Sequence, residues 1–113
     1  MSTSEGLKKE ATELLEKIIP EIFDAHSLEF RPFFGAITVY VDGALFMSYG
    51  KFGVALKLPP ETLENLFSTE QGAPFRYFPK GHVKKEYALL SSATINSTAS
   101  FRKLIQESLK LLT

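Results

Sequence analysis

Apolar residues recur at Leu7, Ala11, Leu14, Leu15, Ile18, Ile19, Ile22 and Phe23, a spacing of three and four that predicts an amphipathic helix with one buried stripe. Ser2 followed three places on by Glu5 has the form of a capping box for its start. Pro20 falls inside the pattern, where it removes one backbone hydrogen bond and clashes with the carbonyl of Glu16, so a kink or break is expected there. From Leu28 the period changes to two. Leu28 to Phe34 reads as a first strand, confined to an edge or a bulge by Pro32. Ala36 to Val41 and Ala44 to Tyr49 flank Asp42-Gly43, a pair that supplies the positive φ angles of a two-residue hairpin turn. Gly50 to Gly53 makes the next turn and Val54 to Leu58 the next strand. Along Ala36 to Val41, Ile37, Val39 and Val41 share one face and Ala36, Thr38 and Tyr40 the other; neither is strongly polar, so both are expected to be covered.

Pro59-Pro60 ends this run and opens a short helix with Leu63, Leu66 and Phe67 on its apolar side and Gly72 after its end. Phe75 to Phe78 and Val83 to Leu90 read as two strands about a Pro79-Lys80-Gly81 turn. A polar stretch, Ser91 to Ser100, leads to a last helix capped by Ser97 or Thr98, whose stripe is Phe101, Leu104, Ile105, Leu109 and Leu112. The expected architecture is α+β, in the order α-β-β-β-β-α-β-β-α, with a mainly antiparallel sheet and helices packed on it. At 113 residues it is read as a single domain, 1–113, able to bury about 65% of its unfolded surface.

Composition narrows the function classes. Thirteen basic residues balance thirteen acidic ones, which argues against a surface that is a polyanion footprint throughout. The absence of cysteine excludes disulfides, thiolate metal sites and thiol nucleophiles. No apolar run approaches the length of a membrane span and no signal peptide is visible, so a cytoplasmic, non-membrane protein is expected. The predicted first helix has an acidic outer face (Glu5, Glu10, Glu13, Glu16, Glu21, Asp24), read as a solvated surface.

Phe34-Gly35, then Tyr40-Val41-Asp42-Gly43, then Phe46, an apolar strand ending Leu56-Lys57-Leu58, and later Gly72-Ala73-Pro74-Phe75-Arg76-Tyr77 together resemble the N-terminal domain of the TfoX/Sxy family, over roughly Ile18 to Leu112. The family's second glycine after Phe34-Gly35 is replaced here by Ala36. The matched residues Phe34, Gly35, Asp42, Gly43, Phe46, Gly72 and Phe75 are turn and core positions, so structural roles are expected for them. The resemblance implies regulation: longer members are positive regulators of natural competence that work with the cyclic-AMP receptor protein, and they add a helical C-terminal domain. This chain is expected to be a single-domain version.

Residues that suggest chemistry have simpler explanations. His26 and His82 lack a second histidine at ligand spacing, so no metal is expected. Asp42 has its turn role, and the serines and threonines of 91–100 lack a nucleophile elbow. Gly50-Lys51-Phe52-Gly53 lacks the following Ser or Thr and helix of a phosphate loop. Catalytic residues and cofactors are therefore expected to be none. The most functional-looking segment is Arg76 to Lys85, in which Arg76, Lys80, His82, Lys84 and Lys85 interleave with Tyr77 and Phe78. It can grip phosphates and stack a base, or dock an acidic partner; a solvated hairpin with lysines guarding an edge is the simpler explanation and is preferred. Three functions follow: a non-enzymatic protein-interaction module of the transcription apparatus, also self-associating as a homodimer; a nucleic-acid binder through 76–85; and a small-ligand binder or enzyme.

Overall fold

The computed structural model describes residues 4–76 and 80–112. The N-terminal helix α1 runs Ser4–Ile18 and stops two residues short of Pro20; after the break the short α2, Ile22–Ala25, continues. The expected stripe is buried: Ala11 and Leu15 are fully enclosed, and Ile18, Ile19 and Ile22 nearly so. The capping box lies outside the described residues at Ser2.

Six strands follow in one sheet: β1 (Leu28–Phe33), β2 (Ala36–Val41), β3 (Ala44–Gly50), β4 (Gly53–Lys57), β5 (Gly72–Phe75) and β6 (Lys84–Leu90). Their order is β1-β2-β3-β4-β6-β5 and every pairing is antiparallel, as direct connection dictates for all but β4 and β6, which are joined through α3 and β5. Helix α3 (Pro60–Ser68) begins on Pro60 at its first turn, and α4 (Ser92–Asn96) and α5 (Thr98–Leu112) close the chain. The α+β class and the antiparallel sheet are as expected from the sequence.

Four details differ. β1 ends at Phe33 because Phe34 (φ 47) and Gly35 (φ 79) form the turn of a first tight hairpin. The fifth strand starts at Gly72, three residues before the expected Phe75; beyond it, Tyr77 and Phe78 lie outside the described residues. The left-handed residue that ends α3 is Glu70 (φ 58), whereas Gly72 already belongs to the sheet. There the Gln71 amide donates to Leu66 and the Glu70 amide to Phe67, the two crossed bonds of a Schellman ending. Finally, the polar stretch after β6 contains α4. Ser91 caps it by accepting from the Thr94 amide, and the Thr94 hydroxyl donates to the Gln71 carbonyl at 2.9 Å, tying this turn to the start of β5.

A bulge decides which residues face the helices. Val41 pairs with Ala44 and Tyr40 with Leu45, but Val39 pairs with Met47, leaving Phe46 as the extra residue. Without it Ser48 would take the position opposite Ile37 and point at the helices. With it, Phe46 and Met47 both enter the core, Tyr49 follows, and Ser48 moves to the opposite face beside Thr38. The helix-derived core residues lie on the Ile37-Val39-Val41 side, with Leu63 and Leu66 from α3 and Phe101, Leu104 and Ile105 from α5. The far side of the sheet carries a second, smaller cluster of Ala55, Phe75 and Tyr87, flanked by Leu45, Phe52 and Leu89, to which no helix contributes among the described residues.

Candidate interaction site

The helix-free face has a floor of small residues. Ala36, Thr38, Ser48 and Ala55 are each less than 5% exposed although no described helix covers them. Aromatic rings gather on the same face. Phe52, in the β3–β4 turn, folds back so that a Cβ at Gly50 would lie 3.1 Å from its ring and 3.2 Å from Ala36. Its ring stands 4.9 Å from that of Phe75, which in turn is 6.4 Å from Tyr87. The Tyr87 hydroxyl reaches across β4 to the Leu45 carbonyl at 3.5 Å.

Cations are seated on this aromatic layer. Lys84, which pairs with Phe75 at the start of β6, holds its Nζ 5.6 Å from the centre of the Tyr87 ring. At the other end of the sheet, the guanidinium of Arg31 lies 4.5 Å over Tyr40, and its Nη2 donates to Glu29 at 2.8 Å. Arg31 was not among the residues singled out from sequence. Its place on this face follows from the β1–β2 register, in which it pairs with Thr38; the alternation of β1 was the available signal, but it needs the pairing partner to become a position.

Of the basic segment, Arg76, Lys80, His82, Lys84 and Lys85 are all exposed. They are spread along the β5–β6 connection and the first residues of β6, where the shift in register between Pro74 and Phe75, rather than alternation along β6, sets Lys84 opposite Phe75. Tyr77 and Phe78, the aromatic part of the expected motif, lie outside the described residues, as does Pro79.

The family-motif residues lie in turns, in the core and at a close backbone approach. Asp42 (φ 49) and Gly43 (φ 87) are the central pair of the β2–β3 turn. Asp42 does more than turn: its carboxylate accepts from the Ser27 amide at 2.9 Å and sits 2.7 Å from His26 Nδ1, and these contacts, the amide first, hold its pKa below the usual value. Asp24 lies two residues before His26 in the chain, but the fold pairs the imidazole with Asp42, binding the entry to β1 onto the hairpin end. Phe46 is fully buried, and Phe75 is 1% exposed. At Gly72 a Cβ would come within 3.2 Å of the Leu89 carbonyl, a close approach of backbone to backbone that only glycine permits without adjustment.

A second feature lies among the helices. A polar groove of about 320 Å³ between α3 and α5 is lined by Glu61, Thr62, Asn65, Lys103 and Glu107, with Thr62 donating to Glu107 at 2.8 Å. Nearby, Arg102 of α5 clasps the α1–α2 corner by a two-pronged contact with Glu21 and a bond to the Ile18 carbonyl, and the Arg102 hydrogen bond draws the Glu21 pKa down to about 2. Among the described residues, no group of three or more His, Asp or Glu side chains is placed to hold a metal, and no helix is long and apolar enough to cross a membrane.

Compared with known protein families, residues 22–111 match the model of the TfoX N-terminal domain, a span that takes in every strand of the sheet. No curated protein matches the chain.

Proposed function

The chain belongs to the TfoX N-terminal domain family, and from that premise we propose that it is a non-enzymatic regulatory module that acts on transcription through a protein partner. The observation that carries this reading is the family match itself, because it covers the whole sheet and both of its faces. We assign the partner contact to the β5–β6 connection, where Arg76, Lys80, His82, Lys84 and Lys85 are exposed and Arg76 to Lys85 contains no acidic residue. An acidic segment of a transcription protein complements that charge, and Lys84, braced over Tyr87, offers it an oriented cation.

Affinity purification of the tagged chain from its native lysate, with and without nuclease, tests the reading. Transcription proteins that co-purify regardless of nuclease, and are lost when Arg76, Lys80, Lys84 and Lys85 are changed to glutamine, support it. Recovery that is indifferent to the four substitutions removes the assigned surface.

The same basic connection favours a second reading, direct nucleic-acid binding. Its mark is salt dependence: neutralising one phosphate-contacting lysine lowers the slope of log affinity against log salt by about one unit. A co-purification that vanishes with nuclease selects this reading over the first.

A further inference from the structure

We infer that β1 is the seam of a two-fold dimer, in which two copies of this chain pair antiparallel with Phe30 opposite Phe30 and Glu29 opposite the second copy's Arg31. The inference stands on the open edge of the sheet and is independent of the partner proposed above.

β1 is the outermost strand, and four of its six residues are exposed. Its inner edge is fixed by β2. The two-residue turn Phe34-Gly35 makes Phe33 and Ala36 a hydrogen-bonded pair, so Phe33, Arg31 and Glu29 direct their backbone groups at β2. The Arg31 carbonyl accepts the Thr38 hydroxyl at 3.1 Å from that side. The alternate residues Leu28, Phe30 and Pro32 therefore aim theirs at the open edge. Pro32, which has no N–H to donate, stands in the outward set, where it leaves the β1–β2 ladder intact.

A second copy laid antiparallel on this edge, with Phe30 facing Phe30, uses every outward amide. The two Phe30 residues exchange a pair of hydrogen bonds, and each Leu28 amide donates to the Pro32 carbonyl of the other copy. Between these pairs, side chains of directly opposed residues stand about 5 Å apart at Cβ. They are Glu29 and the other copy's Arg31, twice over. The charges then select the register. Sliding by two residues in one direction sets Glu29 against Glu29, and in the other Arg31 against Arg31, and like charges directly opposed are destabilising. Only the Phe30-centred register is self-complementary, the condition that a two-fold interface imposes. It also carries Phe33 and Phe34, 38% and 76% exposed at the hairpin tip, alongside the second copy's Ser27 and His26.

Sedimentation and native mass spectrometry of the full chain test this. The wild-type chain is expected to be a dimer; Glu29→Arg and Arg31→Glu, each alone, weaken it roughly tenfold, the effect of one to two kcal/mol of opposed like charge. Mixing the two variants is decisive, because one chain then carries arginine at both positions and the other glutamate at both, so every opposed pair again joins unlike charges. A dimer holding one copy of each, tighter than either variant with itself, is the expected result. A monomeric wild-type chain, single variants that dimerise as well as wild type, or a mixture with no preference for the mixed pair would each overturn the inference. Circular dichroism of both variants separates loss of pairing from loss of fold.

Discussion

On one side of the sheet Ile37, Val39, Phe46, Met47 and Leu56 pack against stripes from α1, α3 and α5, so burial comes from apolar side chains meeting apolar side chains across two layers. On the other side Thr38, Ser48 and Ala55 are equally inaccessible, and the cluster there joins Ala55 to Phe75 and Tyr87, with Phe52 packed against it, side chains that belong to the sheet and its turns. The difference teaches why one strand pattern can serve two surfaces. Large aliphatic residues need a second layer to cover them, whereas small residues can be roofed by aromatic neighbours in the same layer. Ring faces on this side take cations, Lys84 over Tyr87 of that cluster and Arg31 over Tyr40 at the other end of the sheet. The helix side is thereby a core, and the other side is both a small core and a surface that carries cations over aromatic rings.

That contrast can be tested at its centre by comparing Phe46→Ala with Phe75→Ala in chemical denaturation. Phe46 is enclosed between the layers, and its truncation should cost about 3 to 5 kcal/mol; Phe75, roofing a single layer whose neighbours can settle inward, should cost about 3 kcal/mol. A loss below about 1 kcal/mol at Phe46 would mean that its ring is not enclosed between the sheet and the helices. Gly43→Val probes the turn that joins both faces. A β-branched residue at φ 87 should lose about 1 to 2 kcal/mol by the same assay, and a neutral result would mean the hairpin can close another way.

Smaller effects sharpen the comparison on the helix side. The hydroxyl of Ser108 in α5 is buried with no hydrogen-bond partner among the described residues, so Ser108→Ala should raise stability by about 1 kcal/mol through loss of an unsatisfied group and gain of helix propensity. Destabilisation would instead place a partner at that hydroxyl. Glu70→Gly should also stabilise, by about 1 kcal/mol, by removing a side chain from the left-handed end of α3; a fall in melting temperature would point to a role for the Glu70 side chain.

The helix layer also carries an acid-sensitive clasp. The Glu21 pKa is lowered from 4.5 to about 2, chiefly by the Arg102 hydrogen bond, so the folded state favours the carboxylate. Its contribution is complete above pH 4.5 and is lost as the pH falls from there towards 2. Melting temperatures measured across that interval should fall less steeply for Glu21→Gln than for wild type. Parallel curves would mean the clasp is not formed in solution.

Much of this molecule is legible without coordinates. The N-terminal stripe, its interruption at Pro20, the Asp42-Gly43 turn and the last helix are local facts, set by proline geometry, positive φ and a three-and-four spacing that one segment displays by itself. The start of β5 and the short α4 were harder to see. Gly72 reads as a helix terminator until Glu70 is found in that role, and Ser91 reads as linker until its cap to Thr94 and the Thr94 bond to Gln71 appear.

The candidate site divides in the same way. Sequence alone determined the class of fold, the central hairpin and the run of basic residues from Arg76 to Lys85, because each is encoded by neighbours in the chain. Only the tertiary structure decided that Phe46 forms a bulge which sends Ser48 away from the helices, that Arg31 crosses to Tyr40 and Lys84 to Tyr87, and that His26 meets Asp42. The physical reason is register: a shift of one residue exchanges the two faces of a strand, and that shift is set by pairing with a partner strand rather than by the strand's own residues.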